Sequence, residues 1–157
     1  MGATGNADFG YFAGGGPGTR STVDRLDYSN DTTVETVGPL SRIIGFAAAP
    51  GDTNFGDVGG GSPTTTIVAR IDYSNDTVTA LEKGPLSLSK SNLAGVGNQN
   101  YGYFGGGSPN RSKIDRIDYS NDTATAVAKG RLDHPAYNLA ATGNADFGYF
   151  AGGGPGT

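Results

Sequence analysis

Short alternating stretches, broken by glycine and by clusters of Ser, Asn and Asp, run along the whole chain. Tyr101-Gly-Tyr-Phe-Gly105 reads as a strand of aromatics stopped by Gly106, Gly107 and Pro109. Lys113-Ile-Asp-Arg-Ile-Asp-Tyr119 alternates between apolar and polar positions and predicts a second strand. Thr123–Ala128 follows across a tight Ser-Asn-Asp turn and predicts its hairpin partner, with Gly130 closing it. Tyr137–Thr142 predicts a fourth strand, running into Gly143-Asn144, a turn signal ahead of the next aromatic strand. No stretch carries helical spacing with caps. The pattern predicts an all-β unit of four short antiparallel strands.

That unit recurs. The aromatic-Gly pairs begin at Phe9, Phe55, Tyr101 and Phe147, a constant step of 46. Pro17, Pro63, Pro109 and Pro155 keep the step, as do Gly38, Gly84 and Gly130. A period in this range marks one supersecondary unit copied and stacked. The chain, 1–157, is therefore expected to be a single array with repeats at 3–48, 49–94 and 95–140. A partial fourth, 141–157, is letter for letter the same as 3–19. YSNDT returns at Tyr28–Thr32, Tyr73–Thr77 and Tyr119–Thr123, with a one-residue slip. A loop absorbs such a slip; a strand would lose register.

Composition sharpens this picture. Val, Leu, Ile and Phe number 29 of 157, thin for one ordinary core, but eight Tyr add apolar area and the net charge is only −4. The 28 Gly are concentrated in GGG runs and turns, where positive φ or close backbone approach is needed. With no Cys, disulfides and thiolate chemistry are excluded. The longest apolar run, Ile43–Ala49, is too short to span a bilayer as a helix, and the opening MGATGN has neither the basic and apolar region of a secretory leader nor a myristoylation pattern. Eleven dispersed Lys and Arg leave no basic footprint, so neither nucleic acid nor membrane is expected as a partner.

Four strands per 46 residues fits a propeller blade, and the motifs resemble kelch repeats. GYFGGG is similar to the family's strand ending in Gly-Gly, and DRIDYSNDT and ARIDYSNDT to its strand with a Tyr-Asp-type turn. The kelch Trp is missing: Thr33, Val78 and Ala124 stand in the strand where an aromatic belongs. The resemblance implies a β-propeller of four-stranded antiparallel blades, about three per chain. A weaker likeness, to tandem repeats in long marine-phage proteins, some of them tail-associated, implies a fibre or adhesive role and a virion or extracellular setting.

Candidate chemistry is sparse. Arg25, Arg70 and Arg116 stand two residues before Asp27, Asp72 and Asp118, on the same strand face. They are expected to form an inter-blade network, since a guanidinium suits carboxylate acceptors. The Ser-Asn-Asp-Thr turns cluster oxygens but lack the EF-hand ligand pattern, so turn chemistry explains them better than Ca²⁺. Turn chemistry also accounts for the sequons at Asn30, Asn75 and Asn121; a fourth begins at Asn110. No Gly-Lys-Ser/Thr follows the GGG runs, which excludes a phosphate loop and favours close packing. The single His134 and the missing Cys leave no triad and no His-based metal site. No enzyme, cofactor or metal is expected.

Three blades are too few to close a ring. The expected partner is therefore the chain itself, as a homodimer forming a six-bladed ring or a longer head-to-tail assembly. The repeated terminus is expected to reflect a recent duplication, a segment excised or engineered from a longer array, or a fibre whose covalent period is 138, with the excised or engineered segment preferred. The expected role is structural or adhesive. The alternative is a lectin-like propeller binding glycan through Tyr11, Tyr103 and Tyr149.

Overall fold

The computed structural model describes residues 1–16, 20–31, 34–109 and 111–155. Pro17, Thr32, Thr33 and Asn110, singled out above, lie outside them. The fold is all-β. Its first sheet is the antiparallel meander β1 (Gly2–Gly5), β2 (Phe9–Ala13), β3 (Val23–Asp27) and β4 (Val34–Thr36), hydrogen-bonded in that order. The second contains β5 (Phe55–Gly59), β6 (Val68–Asp72) and β7 (Leu81–Glu82). Bridges Ala48↔Gly59 and Gly51↔Gly56 add 48–51 at its edge, 46 residues after the pairs Gly2↔Ala13 and Gly5↔Gly10. The third is β8 (Ala94–Gly97), β9 (Tyr101–Gly105), β10 (Lys113–Asp118) and β11 (Val127–Arg131). After β12 (Ala136–Tyr137), β13 (Ala140–Gly143) and β14 (Gly148–Ala151) rebuild the β1–β2 hairpin, and β15 (Gly154–Pro155) pairs with β12.

Local side-chain chemistry sets these turns. In the first turn of each sheet one side chain accepts two backbone N–H groups: Asn6 Oδ1 from Asp8 and Phe9, Asp52 Oδ1 from Asn54 and Phe55, Asn98 Oδ1 from Asn100 and Tyr101. Asn144 repeats this with Asp146 and Phe147. Such Asx turns reverse the chain tightly enough for a hairpin. After the third strand, Asp27, Asp72 and Asp118 each accept from the backbone and hydroxyl of Ser29, Ser74 and Ser120. The last of these turns is a short 3-10 segment, Tyr119–Asn121, the only helical element among the described residues.

Two strand boundaries differ from the pattern reading. The strand expected at 123–128 is observed at Val127–Arg131, with Gly130 inside it. Residues 124–126 are held elsewhere: Ala124 N–H donates to Asn121 O and Ala126 N–H to Pro85 O of the preceding sheet. The strand expected at 137–142 divides. Tyr137 pairs with Gly154, and 140–143 pair with 148–151, opening the next sheet. Asn138 breaks it, at φ 57°.

The core lies between sheets. Tyr11, Val23, Leu40, Val58, Ile71 and Tyr73 fill the space between the first and second, and Val68, Leu86, Leu93, Phe104 and Ile117 that between the second and third. Small residues let the layers come close: the Phe104 ring covers Gly59 and the Phe150 ring covers Gly105. One ion pair sits inside this core. Lys90 Nζ donates to Phe104 O at 2.9 Å and stands 3.2 Å from the buried Asp115 carboxylate, which also accepts from Ser87 Oγ. Burial pushes the Lys90 ammonium below its ordinary range, and Asp115 opposes that shift.

Backbone joins the sheets as well. Gly38 N–H donates to Asp76 O at 2.8 Å and Gly84 N–H to Asp122 O at 2.7 Å. Ala80 and Ala126 donate back to Pro39 and Pro85. This approach accounts for the recurring glycine, because a Cβ at 38 or 84 would overlap the carbonyl of Val78 or Ala124. Around Gly130 nothing lies within 4 Å of a Cβ position. Gly38→Ala and Gly84→Ala are expected to cost about 1–3 kcal/mol each by overpacking. Gly130→Ala, in dilute protein, should stay within about 0.5 kcal/mol. Urea unfolding of the three variants checks this, and equal losses at all three would contradict it.

Candidate functional site: the arginine and aspartate contacts between sheets

The middle of each third strand carries an arginine, and its two cross-strand neighbours decide what it can bond. Arg25 on β3 stands between Tyr11 and Glu35, Arg70 on β6 between Asp57 and Leu81, and Arg116 on β10 between Tyr103 and Val127. Arg25 donates through Nη1 to Asp76 Oδ2 at 2.8 Å and through Nη2 to Glu35 Oε2 at 2.5 Å. The Tyr11 hydroxyl donates to the same Asp76 oxygen at 2.9 Å. Arg70 forks onto Asp57, Nε to Oδ1 at 2.7 Å and Nη2 to Oδ2 at 2.8 Å, and its Nη1 donates to Asp122 at 2.5 Å. Lys83 Nζ stands 3.0 Å from the same Asp122 oxygen. An aromatic ring lies under each guanidinium: Phe9 and Phe55 at 4.9 Å, Tyr101 at 4.2 Å.

Asp76 and Asp122 are the last acids of the YSND turns in the following sheets. Each is gripped twice, by a glycine N–H at its carbonyl and by an arginine at its carboxylate. The third arginine has no such partner. Arg116 Nε is buried without a hydrogen bond, and the guanidinium makes no ion pair among the described residues. At the other end of the array Asp31, the matching acid of the first sheet, is exposed and bonded to nothing among the described residues.

Arg25 and Arg70 therefore cross between sheets, but toward acids other than those expected, and Arg116 meets no acid among the described residues. Asp27, Asp72 and Asp118 do not bond the arginine two residues earlier, because each is engaged by a serine of its own turn. Asp57, Asp76, Asp122 and Glu35 were missed by sequence reasoning. The available signal was the slot held by Tyr11 in one sheet and Asp57 in the next: Tyr adds a donor to Asp76, and Asp takes Arg70 directly. Burial, followed by the Asp76 hydrogen bond, pushes the Tyr11 hydroxyl well above its ordinary range. Burial also pushes the Asp57 carboxyl up, against the pull of Arg70.

The three tyrosines of the glycan reading separate. Tyr11 is fully buried, stacked on Tyr73 at 4.7 Å, so it offers no face to a ligand. Tyr103 is half-buried and lines a cleft of about 250 Å³ with Val96, Ile114, Lys129, Phe147 and Phe150, between the third sheet and β13–β14. Tyr149 is exposed on β14. His134 is exposed beside Asp133, and among the described residues no three His, Cys, Asp or Glu side chains gather as metal ligands. Compared with known proteins, the chain matches no family model and no curated sequence.

Breaking the buried pair by Arg70→Ala is expected to cost about 3–5 kcal/mol. Arg25→Ala strips one donor from a carboxylate that Tyr11 still serves and should cost about 1–3 kcal/mol. Arg116→Ala in dilute protein should cost less than either, since only packing on Tyr101 is lost. Denaturant midpoints test this ranking.

Acid should act through the turns. Ser29 and Ser120 hold Asp27 and Asp118 below the ordinary carboxylate value of 3.8. The folded chain then binds fewer protons than the unfolded one. Their contribution is present above that value and lost as pH falls through the lowered ones. Ser29→Ala combined with Ser120→Ala should flatten the acid limb of a stability–pH curve, and an unchanged limb would refute this.

Proposed function

We propose that the chain is a non-catalytic, self-assembling repeat module, a kelch-like β-propeller segment whose sheets act as blades and whose role is structural or adhesive. The observation that carries this reading is the repeated sheet-to-sheet contact. Twice along the chain a glycine N–H and an arginine take the turn aspartate of the next sheet; the glycines and the aspartates recur 46 residues apart and the arginines 45. Polar groups that elsewhere would serve a reaction, among them Arg25, Arg70, Asp76 and Asp122, are consumed in holding one layer to the next. Regularity of this kind serves extension or closure of an array. The partner is the chain itself, in a six-bladed ring of two chains or a longer head-to-tail assembly, and the setting that suits it is a virion or an extracellular appendage.

A lectin-like reading with one aromatic site per blade loses Tyr11 to the core. Tyr103 remains, but its cleft is where the assembly reading places the strands of another copy. Sedimentation velocity over micromolar concentrations tests the proposal. Species of at least twice 15.9 kDa are expected. A compact monomer at every concentration would overturn it.

A further inference from the structure

The two ends of the array are complementary in detail. On the third sheet Arg116 has a buried, unbonded Nε, Gly130 faces open space, and Ile114 lines the cleft beside Tyr103. These correspond to Arg70 and Gly84 of the second sheet, which there hold Asp122. On the first sheet Asp31 is exposed and bonded to nothing among the described residues, and Val34 is exposed. Their counterparts Asp76 and Ala80, or Asp122 and Ala126, are the groups held by the preceding sheet. The outer edge of β14 pairs with no strand among the described residues, whereas β2, β5 and β9 pair with β3, β6 and β10.

We infer that the third sheet of one copy receives the first sheet of a second copy, with Arg116 and the Gly130 N–H closing on Asp31 as Arg70 and Gly84 close on Asp122. This inference rests on the self-assembly reading and names its interface. The occupant is a second copy because a matched set of groups exists on this same chain: a cation and an acid, one at each end, that are without an ion-pair partner among the described residues, and two internal junctions that show the bonded arrangement. A like-for-like hairpin exchange accompanies docking. Residues 141–157 and 3–19 are the same letters, so β13–β14 of the first copy and β1–β2 of the second fit one place beside the second copy's β3. One hairpin fills it and the other is released, with the same contacts either way. An open strand edge such as that of β14 is a template for this pairing.

A charge exchange tests the interface. Arg116→Glu alone would set Glu against Asp31, and Asp31→Arg alone would set Arg against Arg116, so each variant alone should associate about 10-fold or more weakly than the unaltered chain. An equimolar mixture restores opposite charges at both junctions, Glu with Arg and Arg116 with Asp31, and should regain the association. Gly130→Leu should also block it, since the equivalent glycine touches the backbone of the next sheet. Circular-dichroism melts of dilute Asp31→Arg and Gly130→Leu should stay close to that of the unaltered chain, since neither side-chain position contacts another sheet within one copy, and dilute Arg116→Glu should show only the small loss that follows from its packing on Tyr101. If the unaltered chain stays monomeric, this interface and the assembly reading fall together. If it associates, but the single variants associate equally well or the mixture does not recover, the Arg116–Asp31 interface alone is overturned.

Discussion

The structure depends on how one aspartate is held. Asp76 and Asp122 each present two acceptors to the preceding sheet, a carbonyl taken by a glycine N–H and a carboxylate taken by an arginine. The backbone bond sets the distance between layers, since only glycine lets the strand end approach so closely. The charged bond sets orientation, because a guanidinium forks in a plane and reaches its acceptor in few geometries. Layers joined this way cannot slide by one residue without losing both contacts. Register along the array is thus imposed by polar groups, and the apolar residues fill what lies between.

That division of labour explains how so few large apolar residues suffice. No sheet buries both of its faces alone. Each shares a thin layer with its neighbour, filled by single aromatics set against glycine or alanine, as Phe104 is against Gly59. Close approach lets backbone donors replace side-chain volume. The buried Lys90–Asp115 and Arg70–Asp57 pairs follow from the same geometry. In a layer this thin, a charged group keeps a carboxylate and a carbonyl within reach, which makes its burial tolerable. Such pairs contribute specificity of arrangement more than net stability.

On the proposed reading, the chemistry of the chain is directed at copies of its own repeat. Among the described residues the shifts of ionisation at Tyr11, Tyr73, Tyr119, Asp57 and Lys90 arise first from burial within or between the sheets. Perturbed groups mark active sites when they line a cleft open to substrate. Here they mark joints.

Much of the architecture was legible in the letters. The 46-residue step, the aromatic strand, the alternation of 113–118 and the Asn- and Asp-headed turns are local signals, each resolved within a few residues, and they determined an all-β chain of repeated antiparallel sheets. The recurring glycines at 38 and 84 were visible as positions but not as contacts. The partners of the arginines were not legible. Arg25 bonds Asp76 across 51 residues and Arg70 bonds Asp122 across 52, and no periodicity of a strand reports which neighbouring layer a side chain meets. Proximity in sequence favoured Asp27 and Asp72, but serine hydroxyls two residues on reach those carboxylates first. The fate of 137–142 was likewise tertiary, since the strand joins whichever hairpin offers an edge. The sequence by itself determined the unit and its turns, because those depend on backbone preference and near neighbours. Only the tertiary structure decided which acid each arginine holds, because that depends on how one layer is placed over the next.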